Sequence, residues 1–114
     1  MRKLIFESSI YVPEGDAVLD QICDRLIDLC TGISRSETDL YLIFEVGRSI
    51  IRVGHGALLM RVEADDLVGC HSMKVALEGT VVEIFGLNQP SILWIATNSE
   101  PFAALAVHPI RPRI

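Results

Sequence analysis

Cys70 and His71 are the one place in this sequence where a thiol nucleophile and a base are neighbours. A working dyad needs both side chains within hydrogen-bond reach and a third group to orient the base. Adjacent residues on a helix point about 100° apart, and the spacing puts Cys70 on the apolar stripe of a predicted helix. It reads as core. Cys23 and Cys30 are seven residues apart, two turns and about 10 Å of helical rise. One zinc ion cannot bridge that distance, and no CxxC or HxxxH spacing occurs. Gly54-His55-Gly56 would let a backbone approach an anion, but no helix start follows to supply the amide groups. It reads as a hairpin with an exposed histidine. Glu63, Asp65 and Asp66 form a carboxylate cluster that helix capping and solvation explain, and His108 beside Pro109 reads as a surface residue of the tail. No catalytic residue, metal site or cofactor is expected. If catalysis occurs, Cys70, His71, His55 and Tyr41 are its candidates.

The elements that would position these residues centre on residues 40–86. Three short apolar runs are separated by Gly47-Arg48 and Gly54-His55-Gly56, which predict an antiparallel meander with tight turns. Leu40, Leu42, Phe44 and Val46 face one way, opposite Tyr41, Ile43 and Glu45. Ile51 and Val53 oppose Ile50 and Arg52, and Leu58, Met60 and Val62 oppose Leu59, Arg61 and Glu63. Asp65-Asp66 then predicts a helix N-cap, and Gly86 the end of a helix of about twenty residues. Upstream, residues 3–12 read as a strand, and Pro13-Glu14-Gly15-Asp16 as a break and helix start. A helix is predicted over 17–30, with Val18 or Leu19, Ile22, Cys23, Leu26, Leu29 and Cys30 on its apolar side, followed by a polar connector over 33–38. Downstream, Asn88-Gln89-Pro90 predicts a turn, residues 91–97 a fifth strand, and 102–107 a sixth strand or a short helix. The sum is an α+β domain of order β-α-β-β-β-α-β(-β). Its mainly antiparallel sheet carries two helices on one face, and strand one has room for a parallel or crossover neighbour.

With 114 residues, half of them hydrophobic, and a mean hydropathy of +0.39, one domain with a substantial core is expected: residues 1–97, with 98–114 as a C-terminal extension. No apolar run reaches the roughly 18 residues that span a bilayer. Glu7-Ser8-Ser9 interrupts the run begun at Leu4, so no signal-peptide core forms, and a cytoplasmic location is expected. Three cysteines cannot all pair, which fits a reducing compartment. A net charge of −5 argues against nucleic acid or an anionic membrane as partner. Arg48, Arg52 and Arg61 gather on the meander but are too few to reverse that sign.

Three segments also resemble a known family: the helix segment VLDQICDRL, the run GHGALLMRVEADD, and the closing EIFGLNQPSILWI. Together they look like a small bacterial domain of unknown function, found alone or joined to siderophore-interacting, flavin-dependent ferric reductases. The resemblance implies a compact α+β domain and an iron-uptake context, and supplies no catalytic residues. The family carries histidines in and just after its first helix, where this chain has Arg25, Leu26 and Asp28, so no role of those histidines transfers. Residues 102–114 extend beyond the family pattern.

The meander's outer face is half apolar, whereas a sheet face open to water alternates more strictly. The reading therefore expects a cover, and self-association is the simplest one. The expected ligand or partner face is Tyr41, Ile43, Ile50, Arg52, Leu59 and Arg61. The primary function class is a non-enzymatic module that forms a homodimer there, or docks a protein or small ligand. The alternative is an enzyme or redox accessory holding a small molecule between sheet and helices.

Overall fold

A computed structural model describes residues 3–12, 16–54, 56–86 and 92–107. The elements run β1 (Leu4–Tyr11), α1 (Asp16–Leu26), β2 (Gly32–Arg35), β3 (Asp39–Phe44), β4 (Gly47–Gly54), β5 (Ala57–Ala64), α2 (Leu67–Phe85), β6 (Ile95–Thr97) and α3 (Ala103–Val107). The fold is α+β. Among the described residues six strands lie in the order β2-β3-β4-β5-β1-β6, with β1 inserted between β5 and β6. Every pairing among the described residues is antiparallel, so the parallel neighbour allowed for strand one does not occur there. Among the described residues, no helix is long and apolar enough to cross a membrane.

Alternation along the strands gives the sheet two unlike faces. On the first, Leu40, Leu42, Ile51, Leu58, Met60 and Val62 are fully buried beneath α1 and α2. Helix α1 contributes Val18, Leu19, Ile22 and Leu26 to that layer, and α2 contributes Cys70, Met73, Leu77 and Val81, at three- and four-residue spacings. Asp66 caps α2 by accepting the Gly69 N–H at 2.7 Å, and Gly86 ends it, its own N–H donating to Val82.

Several sequence expectations change. Helix α1 stops at Leu26 and tightens into a 3-10 turn over Ile27–Leu29, which turns Leu29 outward instead of toward the core. The expected polar connector contains strand β2, whose edge position leaves only Ile33 packed on the core and so produces almost no alternation. The fifth strand shrinks to Ile95–Thr97, because the Ser8 hydroxyl, not a ladder amide, takes the Leu93 carbonyl at 2.6 Å. Residues 102–107 form the short helix α3. The expected features at 13–15 and 88–91, His55, His108 and the proline-rich tail lie outside the described residues.

The first hairpin turn also moves. Phe44 pairs with Gly47, so the turn is Glu45-Val46, and Val46 faces solvent. Gly47 sits within β4, where a Cβ would lie 2.1 Å from the Glu63 carbonyl oxygen and 2.8 Å from Met73 Cε. Here glycine serves close approach of two backbones under α2. The second hairpin does use the expected left-handed glycine, Gly56 at φ 69. Gly47→Ala is therefore expected to lower stability by about 2 kcal/mol or more. Urea unfolding followed by circular dichroism checks this, and an unchanged midpoint would refute the close-approach account.

Candidate functional site

The second face of the sheet is where polar chemistry collects. Three pairs of directly opposed residues carry opposite charges: Asp39 with Arg52, Arg48 with Glu63, and Glu7 with Arg61. Arg61, only 4% exposed, stands between two buried carboxylates. Its Nη1 donates to Glu7 Oε2 at 2.5 Å and its Nε to Glu63 Oε2 at 2.7 Å. Arg48 Nε donates to the other Glu63 oxygen at 2.7 Å. Two acids thus meet two guanidinium groups, which offsets the several kcal/mol that each buried ion would otherwise cost. Arg52 grips Asp39 through two bonds of 2.8 Å, and the Tyr41 hydroxyl donates to Asp39 as well.

These contacts set the ionisation of the face. Burial pushes the Glu63 carboxyl up, but hydrogen bonds and charge from Arg61 and Arg48 outweigh it, and its pKa falls below the ordinary value. The Arg52 hydrogen bond lowers Asp39 against the opposing effect of burial. Tyr41 is raised, because its donated bond to Asp39 stabilises the protonated phenol. At neutral pH the two carboxyls therefore stay ionised and the phenol stays protonated.

The C-terminal segment covers one half of this face. Phe102 and Leu105 are buried against Ile50, with Leu59 and Ile95 packed around them. The Phe102 N–H donates to Glu7 Oε2 at 2.6 Å, and the Arg52 guanidinium lies 4.9 Å from the ring centroid. Glu7 Oε1, also buried, has no partner among the described residues. Phe102 takes φ 65, a left-handed conformation that costs a bulky residue about 1–2 kcal/mol.

Among the described residues the other half is open, with Tyr41 38% and Ile43 45% exposed. Beyond Ile43, a cleft of about 260 Å³ runs between the Glu45-Val46 turn and Asp65, with Lys3 and Arg48 among its lining residues. The expected partner face thus narrows. Tyr41 and Ile43 are available and Arg52 is half-buried, whereas Ile50 and Leu59 lie under the chain's own segment and Arg61 is locked in the ion network.

Among the described residues, the enzyme candidates do not converge. Cys70, 1% exposed, directs its thiol toward the Leu4 carbonyl at 3.4 Å, and burial raises its pKa. His71 is exposed, and His55 lies outside the described residues. Cys23 and Cys30 are half-buried, and Cys30 is raised by burial and then by its neighbour Cys23. Among the described residues, no three His, Cys, Asp or Glu side chains cluster to hold a metal ion.

Residue spacing did not identify Glu7, Asp39 or Phe102 as parts of this face. It did place the three arginines together, and Glu63, read as solvated, is instead a buried ion-pair partner. A further cluster was also missed. Lys74 lies 3.5 Å from the Phe6 ring centroid, and the Trp94 indole donates to Glu78 at 2.6 Å. The four-residue spacing of Lys74 and Glu78 on α2 was the available signal.

Replacing Arg61 by Met removes the cation from between Glu7 and Glu63, and a loss of about 3 kcal/mol or more is expected on denaturant unfolding. An unchanged midpoint would show that the network contributes no stability. Asp39 and Glu63 have lowered folded pKa values, so their stabilisation is complete above the ordinary carboxylate range near about pH 4. It is lost as pH falls through the lowered values. Urea midpoints taken from neutral pH downward are expected to drop in that acid window, and less so in Asp39→Asn. Equal slopes in the two proteins would contradict the assignment for Asp39.

No family model and no curated protein matches this sequence. Among solved structures, the chain is similar to the NMR structure of PA4090 from Pseudomonas aeruginosa, with a TM-score of 0.69 at 10% identity. The likeness covers 81% of this chain and 95% of that one, and at that identity it is a likeness of fold.

Proposed function

We propose that this chain is a non-enzymatic binding module that pairs with a second copy through the open half of its second sheet face, centred on Tyr41 and Ile43. The observation that carries the reading is the division of that face. Its buried ionisable groups are engaged with one another, while Tyr41, Ile43 and the adjoining Val46 present apolar surface with no cover among the described residues. A surface rich in satisfied ion pairs and exposed apolar side chains suits association more than proton transfer. The neighbouring cleft offers room for a small ligand beside the pairing surface. Three free cysteines support action in a reducing compartment such as the cytoplasm. The family resemblance supports a binding or accessory role in an iron or siderophore context. That support lies in residues 19–26, 54–66 and 85–94.

Light scattering after size exclusion tests the pairing. Wild type is expected at twice the 12.6 kDa chain mass, and Ile43→Glu at the chain mass with an unchanged circular dichroism spectrum. A monomeric wild type, or a folded Ile43→Glu variant that keeps the dimer mass, would overturn the reading.

A further inference from the structure

We infer that residues 98–107 act as an exchangeable strap: in the self-associated form, Phe102 and Leu105 of each copy seat on the sheet of the other. This rests on the self-association proposed above and specifies what the two copies trade.

The seat is assembled without the strap. Ile50 comes from β4, Leu59 from β5, Ile95 from β6 and the Glu7 carboxylate from β1, and the sheet ladders hold all four in place. What fills it is defined just as closely: an aromatic ring beside Arg52, a backbone N–H aimed at Glu7, and a leucine three residues on. The same segment of a second copy meets every one of these requirements.

The tether that closes the strap within one copy is short and strained. Only residues 98–101 separate β6 from Phe102, all four exposed and one of them Pro101. Two bonds shape the turn: Ser99 N–H to Thr97 Oγ1 and Ala103 N–H to the Glu100 carbonyl, each at 3.0 Å. The closed turn also holds Phe102 at φ 65, which an extended tether crossing to another copy does not require. Short hinges under strain favour exchange of the element they carry. Ile50 lies directly opposite Tyr41, so a strap arriving from a second copy seats beside the half of the face where the two copies meet.

Changing tether length tests the exchange, read as mass by light scattering over a concentration series. Inserting three glycines between Ser99 and Glu100 lets the strap close without strain, and the dimer fraction is expected to fall at least tenfold. Deleting Glu100 prevents closure, and dimers are expected at every concentration. Dimer mass indifferent to both changes would overturn the exchange while leaving the self-association intact. A monomeric wild type with a dimeric deletion variant would support the exchange and overturn the native dimer. Wild type and deletion variant both monomeric would overturn both. Should the deletion variant fail to fold, the glycine insertion alone decides: an unchanged dimer fraction refutes the exchange.

Discussion

The Arg61 guanidinium between Glu7 and Glu63 is the contact on which the second face depends. It ties β1 to β5 across residues 54 positions apart, and through Glu63 it reaches Arg48 on β4. Glu7 extends the same network to the C-terminal segment by accepting the Phe102 amide. Buried ions are poor sources of net stability, since a well-packed apolar substitute often does as well. Their directional demands are their distinguishing property. A one-residue slip of β1 against β5 would carry Glu7 to the helix-covered face and leave Arg61 opposite an uncharged residue. Together with the cross-strand pairs Asp39–Arg52 and Arg48–Glu63, the network penalises every alternative alignment of four neighbouring strands.

The two faces therefore divide the work. The helix-covered face supplies the non-directional burial that makes the domain compact, with leucine, isoleucine and methionine side chains at or near zero exposure. The second face supplies register, and in doing so it uses up the ionisable groups that would otherwise invite a catalytic reading. Gly47 connects the two. Its missing side chain lets β4 lie against the Glu63 carbonyl and under Met73, which seats α2 close above the strand that carries the network.

The C-terminal segment is where this economy is least complete. It buries Phe102 and Leu105, yet requires a left-handed Phe102 and leaves Glu7 Oε1 without a partner among the described residues. An unpaired buried acceptor costs about 1–3 kcal/mol. A segment held by one amide, one ring and one leucine, against strain at its hinge, belongs to the less stable end of the structure.

Local chemistry made much of the architecture readable from the residues alone. Period-two alternation marked the meander, three- and four-residue spacing marked both long helices, and Asp66 and Gly86 marked the limits of α2, because each signal acts between residues a few positions apart. The arginines of the second face were visible in the same way. Of their acidic partners, Glu63 already fell on the Arg61 side of its strand, but Glu7 was not visible, because it meets Arg61 only once β1 has entered the sheet beside β5, and strand order leaves no periodic trace in the sequence. Glycine misled at position 47, where close approach and turn formation call for the same residue. The apolar outer face was legible, but its partial cover was not, since Phe102 reaches Ile50 across 52 positions of chain. Amphipathic periodicity is a local property, and the sequence by itself determined which surfaces must be buried. What buries each of them is a matter of long-range contact, and only the tertiary structure decided it.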